Sequence, residues 1–470
     1  MGKKTEKKNT NTGINPFVLI FFVVVVGGLL VFLIPPGNLV DGVYTALPRN
    51  ELNFNNLFNI FRAIPYGIKD SANIVILILI VGGALEIYKR SGAVDNGINT
   101  LVRRFGERSH LALLIVLIVV FSAIGGFLGW IETLVPFVPL VVATVLALGY
   151  DSMTAVAVCI VGTMGGFMAG PTNLYTVAVC NEVAIDLGIL PEGSDLFAGL
   201  GLRVVVWAAI TAVSAVYICI YAVRTRRDPS KSMVAGIDVS DITITVKEAE
   251  DSKLTGRQIV VLLTIVAALL LSIWGMKYGF DGVTWAVDDV AAIFLVSGLV
   301  SGVVAKMKAS DICDALIDGA KGAIGGALVV GLARGVYWVM NAGNILNTIV
   351  YYAIELLEGT SPMVAAIGIV IIVCFLDGLI PSGSGKGVLL APLMFPIGIS
   401  LGLSAQTTVL AYQFGDGLTN MSWFSYGTLL IFLNYGKVPL NKWWKFFTPL
   451  MIIFLLMSFG FLAFAINTGY

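Results

Sequence analysis

The chain is short of charge. Only 12% of its 470 residues are Asp, Glu, Lys or Arg, about half the usual fraction, and 57% are hydrophobic. So few charges cannot cover the surface of a soluble fold of this length. That excludes a soluble globular enzyme, a disordered chain and a nucleic-acid binder. There is one histidine, His110. No HExxH motif and no Ser/His/Asp constellation accompanies it, so nothing indicates catalysis. The cysteines Cys159, Cys180, Cys219, Cys313 and Cys374 are widely spaced and form no CxxC. They are expected to be small buried hydrophobes, with neither a zinc site nor a disulfide framework. The 29 basic and 29 acidic residues cancel, so the informative property is where the charges lie.

Apolar sequence is abundant. A hydrocarbon core of about 30 Å takes about 20 helical residues to cross. Stretches of that kind fall at 17–34, 71–88, 197–223, 257–275, 289–305, 318–341 and 446–467. Residues 1–16 form a lysine-rich polar tail. The run after it lacks a small-residue cleavage site and is expected to remain as the first helix. Four further apolar stretches, 109–149, 151–190, 361–400 and 404–434, are too long for one span and are broken by Gly, Pro and polar residues. Irregular backbone survives inside a membrane only where it lines a cavity or is buried in protein, so these four are expected to carry function. With the N-terminus cytoplasmic, Lys89, Arg90, Arg103, Arg104, Arg108, Arg224, Arg226, Arg227, Lys231, Lys306, Lys308, Lys437, Lys442 and Lys445 all fall inside, as the positive-inside rule asks. The polar segment 224–256 is expected to be a cytoplasmic linker.

The expected fold is an all-α polytopic membrane protein with two inverted repeats, 17–223 and 276–470, and an extra connecting helix at 257–275. It has about nine transmembrane helices, re-entrant hairpins at 109–149 and 361–400, and helices 151–190 and 404–434 broken at mid-membrane. An offset of 253 residues sets Gly125 on Gly378, Pro139 on Pro392, Thr154 on Thr407 and Gly162 on Gly415. The extra helix makes the second repeat start on the opposite side. Inverted repeats with discontinuous helices meeting at the midplane are the mark of secondary transporters.

Charge at bilayer depth is costly and persists mostly in cavities. The deepest charges by sequence are Glu132, Arg334, Asp377, Lys386 and Asp416. Glu132 and Lys386 occupy nearly equivalent places in the two hairpin tips. Helix-start amides at each tip favour a carboxylate, reinforced by Ser384 and Lys386. Asp416, Thr419, Asn420, Thr172 and Asn173 offer oxygens for a hard cation such as Na⁺. Structural accounts stand beside these. Glu132 and Lys386 can form an ion pair, Asp416 can cap a helix, and Arg334 with Asp377 is preferred as a structural pair. Gly298 and Gly302 fit helix packing. His110 fits an interfacial structural role ahead of a proton relay. Trp443 and Trp444 beside Lys442 and Lys445 fit an interfacial anchor. SGSGKG at 382–387 is no phosphate loop: a Walker A needs Gly at 380 and Ser or Thr at 387, where Ile380 and Gly387 stand.

SGAVDNGI (91–98), LALGYDSMTAVAV (146–158), PSGSGKGVLLAPLMFP (381–396) and AYQFGDGLTN (411–420) resemble the YfcC-like branch of the anaerobic C4-dicarboxylate carrier (DcuC-type) family. That family lies in the ion transporter superfamily, and the resemblance covers nearly the whole chain. It implies a multi-pass carrier of a prokaryotic inner membrane, a homodimer with an elevator-like motion, taking C4-dicarboxylates or basic amino acids. It also implies that the hairpin tips and broken helices hold substrate and Na⁺. Carried onto this chain, the substrate set is Glu132, Thr133, Thr172, Asn173, Ser382, Ser384, Gly385, Lys386 and Asn420. The Na⁺ set is Gly129, Asn173, Ser382, Asp416 and Thr419. The first tip reads GWIET, a departure from the family in which Trp130 is expected to narrow the pocket.

The expected function is cation-coupled symport or exchange of a small carboxylate-bearing metabolite, driven by Na⁺ or H⁺ and without a cofactor. The opposite charges of Glu132 and Lys386 tilt the choice to an amino acid over a C4-dicarboxylate, which Glu132 would repel. The alternatives are a passive channel and a membrane-embedded enzyme or assembly factor.

Overall fold

The structure, a computed structural model, describes residues 16–40, 42–104, 110–243 and 254–470. The N-terminal lysines, Arg108 and the middle of the 224–256 linker lie outside the described residues. The first half comprises α1 (Pro16–Leu33), strands β1 (Gly37–Val40) and β2 (Val43–Ala46), and α2 (Phe54–Asp70). There follow α3 (Ala72–Arg90), α4 (Ala93–Arg104), α5 (His110–Ala123), α6 (Val138–Ala147), α7 (Ser152–Ala169), α8 (Val179–Asp186) and α9 (Leu200–Arg227). Then come α10 (Gly256–Tyr278), α11 (Val287–Val304), α12 (Ala309–Ala342), α13 (Ile345–Glu355), α14 (Pro362–Asp377), α15 (Gly383–Ser400), α16 (Ala405–Asn420), α17 (Gly427–Tyr435) and α18 (Leu440–Thr468).

Eight helices among the described residues are long and apolar enough to cross a membrane. They are Ala72–Arg90, His110–Leu128, Ser152–Asp186, Leu200–Arg227, Gly256–Met276, Val287–Val304, Ala309–Ala342 and Leu440–Thr468. Phe17–Leu33, Glu132–Ala147 and Pro362–Asp377 are shorter apolar helices. Val205, Val216 and Ile220 on α9 and Leu263 and Leu270 on α10 are exposed, although the opposite faces of both helices pack inward. Apolar residues on every face suit helices bathed in lipid.

Two features depart from expectation. The chain is not wholly helical: β1 and β2 form an antiparallel hairpin, with Gly37 opposite Ala46, turning at Gly42 in the left-handed region. It is anchored to α13, where Asn347 donates to the Gly37 carbonyl at 3.1 Å. In addition, α12 begins at Ala309 and runs unbroken for 34 residues, whereas 318–341 was expected. Its antiparallel neighbour is split into α2 and α3 at Ser71, whose hydroxyl donates back to the Gly67 carbonyl at 2.7 Å. The same carbonyl also accepts the Ser71 amide at 3.1 Å, and a serine bonded back in this way bends a helix.

Small residues let α12 lie against α2 and α3. A Cβ on Gly319 would fall 2.2 Å from the Gly82 oxygen, and one on Gly67 2.4 Å from the Gly331 oxygen. Gly298 likewise packs on Ala84 and Gly302 on Ile312. At the centre stand α7, in which every residue is buried, and α16, in which every residue but the half-buried Gln406 is. Around this pair α5, α6, α9 and α17 pack on α7, and α8, α14, α15 and α18 on α16.

Three smaller expectations are corrected or located. Trp443 is fully buried and donates to the Met421 carbonyl at 2.7 Å, so it belongs to the core and is no surface anchor. Cys313 is exposed, while Cys159 and Cys180 are buried and all five cysteines are free. His110 is buried at the start of α5.

Candidate functional site

The segment between α5 and α6 is irregular for local reasons. A π-turn spans Ile124–Leu128, Gly129 turns left-handed (φ 71°), and a 3-10 turn with Pro136 inside runs Glu132–Phe137. Only glycine fits at 129: besides its φ, a Cβ would lie 2.5 Å from Asn173 Oδ1. The break between α7 and α8 braces this tip. Thr172 donates to the Phe127 carbonyl at 2.7 Å, and Asn173 accepts from the Tyr175 amide at 2.9 Å. Gln413 of α16 reaches across to this break, accepting from Thr176 and donating to the Phe167 carbonyl.

The second tip is built alike. After α14, Pro381 interrupts the chain, and Ser382 caps α15 by accepting from the Gly385 amide at 3.2 Å. Its brace comes from the end of α16 and the segment beyond. Thr419 donates to Asp377 at 3.1 Å, Trp423 to the Cys374 carbonyl at 2.7 Å and Ser425 to the Gly378 carbonyl at 2.7 Å. A threonine thus ties the base of each tip, Thr172 at the first and Thr419 at the second.

A cavity of about 330 Å³ separates the tips. Gly129, Trp130, Glu132 and Thr133 line it from one side, and Ser382, Gly383 and Ser384 from the other. Arg334 of α12, Asp70 at the α2–α3 break, Asn420, Tyr426 and Thr428 complete it. Glu132 accepts from the Tyr426 hydroxyl at 2.7 Å and from Thr428 at 3.4 Å. The Arg334 guanidinium lies over the Tyr337 ring, 4.5 Å from its centroid. The cavity therefore presents one cation and two carboxylates, half-buried Glu132 and exposed Asp70. A larger cavity of about 570 Å³, between α3, α4, α6, α12 and residues 241–243, contains none of the expected site residues.

The charges do not pair as expected. Lys386 is fully buried and forms ion pairs with Asp377 and with Asp416, the latter at 2.8 Å; it does not meet Glu132. Asp377 therefore pairs with Lys386 and not with Arg334. The reason is helical phase. Ser382 and Ser384 open α15 at the cavity, and the next residues wind Lys386 to the face that meets α14 and α16. Glu132 instead sits on a 3-10 turn. Asp416 lies inside α16 and caps nothing; Asn420 approaches it at 3.4 Å.

Of the expected substrate residues, Glu132, Thr133, Ser382, Ser384 and Asn420 line the cavity; Thr172, Asn173, Gly385 and Lys386 do not. The residues expected around Na⁺ divide between the tips. Gly129 and Asn173 lie at the first, with Asp416, Thr419 and Ser382 at the second. No cluster of three or more His, Cys, Asp or Glu suited to a metal occurs among the described residues. Asp70, Tyr426 and Thr428 escaped the sequence; they belong to no repeated motif, and only the fold carries them to the tips. Gln413 lies inside the AYQFGDGLTN motif, which pointed to its segment but not to its contact.

Residues 14–467 match the family described as DcuC, C4-dicarboxylate anaerobic carrier. The chain is 29% identical over 401 residues to "Putative basic amino acid antiporter YfcC" of Escherichia coli K12, covering 83% of this chain and 76% of that one. It is 25% identical over 415 residues to an uncharacterized protein of Haemophilus influenzae, covering 87% and 78%. Among solved structures, the Alcanivorax borkumensis YdaH transporter aligns with 97% of this chain and 99% of its own, at 16% identity and a TM-score of 0.45. With a family match from residue 14 to residue 467, the chain belongs to the DcuC family of carriers and is a multi-pass membrane transporter.

Proposed function

We propose that the cavity between the tips is the substrate site of a secondary active transporter, and that the substrate is an amino acid of net positive charge. The observation that carries this is the charge set of the cavity: Arg334, Glu132 and Asp70 line it together. A zwitterion needs one charge of each sign. The extra carboxylate leaves the cavity with a formal charge of −1, the complement of a basic amino acid. Arg334, the Ser384 hydroxyl and the amides at the start of α15 hold the carboxylate. Glu132, already positioned by Tyr426 and Thr428, takes the α-ammonium, and Asp70 takes the side-chain cation. Lys386, neutralised by its own partners, is not a ligand. The printed name of the Escherichia coli relative agrees with this choice.

The same reading makes α5–α6 and α14–α15 re-entrant hairpins. Each pair is broken beside the cavity, the first at the left-handed Gly129 and the second at Pro381, where a hairpin tip sheltered by protein would lie. Basic residues gather at one end of the bundle, where Arg90 meets Asp318 and Lys437 meets Asp241. That favours a cytoplasmic position for this end and for the start of α1. The family resemblance adds a homodimer in a bacterial inner membrane.

One finding favours a second substrate class, the family description itself. A C4-dicarboxylate could use Arg334 and the tip serines, but Glu132 would then have to be protonated. Counterflow in proteoliposomes separates these. Labelled L-arginine is expected to accumulate against internal arginine and to ignore succinate. Exchange of succinate with no exchange of arginine would replace the substrate, and uptake without trans-stimulation would indicate a channel.

A further inference from the structure

The larger cavity, of about 570 Å³, shares no lining residue with the substrate cavity. Its size suits a small organic molecule. Leu85 of α3, Val94 of α4 and Leu140 of α6 give it apolar walls. One polar residue in it is anomalous. Asn99 of α4 is 0% exposed, and neither its Nδ2 nor its Oδ1 has a hydrogen-bond partner among the described residues. A buried amide unpaired at both ends is costly, and folded proteins pair nearly all such groups. Asp95 lies one turn earlier on the same face of α4 and also lines the cavity. It forms no ion pair among the described residues. The other carboxylates of the lining are engaged, Glu86 and Asp318 by Arg90 and Asp241 by Lys437. Asp95 is therefore the anion left over. The space is open at α12 as well: a Cβ on Gly322, which lines the cavity, would meet nothing within 4 Å.

Apolar walls with a few convergent polar groups are the usual form of a small-molecule site. We propose that this cavity is a second ligand site, and that it takes a small amphiphilic cation. An ammonium meets Asp95, an apolar body meets Leu85, Val94 and Leu140, and a carboxamide meets Asn99. The Asn99 Nδ2 donates to the ligand's carbonyl and its Oδ1 accepts the ligand's N–H, so a primary carboxamide satisfies both orphaned ends at once. An anion is disfavoured, because four lining carboxylates stand against the single ammonium of Lys89. Occupancy reaches the substrate cavity through α6, which continues directly from the Glu132–Phe137 turn. A ligand seated between Leu140 and the faces of α3, α4 and α12 resists any shift of α6, and with it of Glu132. Transport is thereby inhibited from a separate site. Only this inhibitory role rests on the transport assignment above; binding does not.

The probe is L-phenylalaninamide, which carries an ammonium, a carboxamide and a phenyl ring, titrated calorimetrically into the full chain in detergent. The wild type and Glu132→Gln should bind it alike. Asn99→Leu and Asp95→Asn should each weaken binding about tenfold or more. Gly322→Leu, which fills the open space, should abolish it. N-acetyl-L-phenylalaninamide, which lacks the cation, should bind the wild type at least about tenfold more weakly. Without ligand, Asn99→Leu should melt no lower than the wild type, because it removes an unpaired buried amide. A lower melting temperature would show Asn99 to be satisfied already and overturns the proposal. So does a wild type that binds no probe, or binding undiminished in both Asn99→Leu and Asp95→Asn. Binding lost in Glu132→Gln would put the probe in the substrate cavity and overturns it too. Inhibition is then read from counterflow of labelled L-arginine in proteoliposomes, with probe on both sides of the membrane. The probe should slow wild-type counterflow without relief by excess arginine, and at the same concentration should leave Asp95→Asn unaffected. Relief by arginine overturns the separate site, and wild-type counterflow unchanged by bound probe refutes the inhibitory role. Failure of wild-type counterflow without probe refutes transport of arginine by the substrate cavity and leaves the calorimetric result standing.

Discussion

Lys386 and Glu132 look alike in the sequence, each a lone charge in a glycine-rich tip, yet their surroundings assign them different work. Glu132 is half-buried, faces the cavity and keeps free acceptor capacity beyond Tyr426 and Thr428. Glu132→Gln removes a charge-assisted contact of about 1.5–3 kcal/mol, so arginine affinity by thermal shift or calorimetry is expected to fall about 10- to 100-fold with the fold intact. Arg334→Ala should weaken binding similarly by removing the cavity's cation. Unchanged affinity in both variants would place the substrate elsewhere. Lys386 is fully buried between two carboxylates. Lys386→Met leaves both uncompensated, and removing one partner of a buried pair typically costs about 3–5 kcal/mol. That variant is expected to express poorly or melt well below the wild type, whereas Asp416→Asn should stay folded. A Lys386→Met protein as stable as the wild type would show that the triad is not held as described.

The elements of the site are held by close backbone approach more than by polar contacts. Where α16 crosses α7, a Cβ on Gly417 would fall 2.3 Å from Met168 Cα, with both residues buried. Gly417→Leu must push the two central helices apart. Overpacking of this kind costs about 1–3 kcal/mol, occasionally more, and here it also moves Asp416 and Asn420. A lowered melting temperature together with lost binding is the expected result. Gly460 of α18 has open space around its would-be Cβ, so Gly460→Ala is the matched control and should be close to neutral.

At the scale of the whole molecule, the described part of the linker is tied to the end of α17. Lys437 pairs with Asp241 and donates to the Asp238 carbonyl at 3.2 Å. The hydrogen bond from Lys437 holds the Asp241 carboxyl below its ordinary value. A depressed folded-state value adds stability that is complete above the unfolded value of about 3.9 and is lost as pH falls through the folded one. The contact is therefore expected to persist through neutral pH and to open only in acid, below about pH 4. Lys437→Gln should open it at neutral pH, read as faster limited proteolysis of the linker; equal rates in both proteins would show that the contact restrains nothing. The exposed thiol of Cys313, near the start of α12, reports orientation. In inside-out vesicles it should react with an impermeant maleimide, and in right-side-out cells it should not. The reverse pattern would invert the topology.

Much of this was legible without coordinates, because a membrane imposes long-range constraints that composition and punctuation record locally. Scarce charge and apolar runs determined a polytopic helical membrane protein. Glycine, proline and polar breaks at 125–133, 165–173, 377–387 and 415–420 marked stretches that each reach the cavity, since irregular backbone needs such shelter. The family could be read from PSGSGKG and AYQFGDGLTN. What only tertiary structure decided is which charges meet. Equivalent positions in a repeat share a place in the chain but not a helical phase, so Lys386 turned from Glu132 towards Asp377 and Asp416. Arg334, Asp70 and Tyr426 reached the cavity from segments far apart in the chain, and no local pattern records such a contact. The β1–β2 hairpin and the unbroken α12 were likewise settled by docking on α13 and on the glycines of α2 and α3. Those are packing interactions between distant residues, and they override what each segment prefers alone.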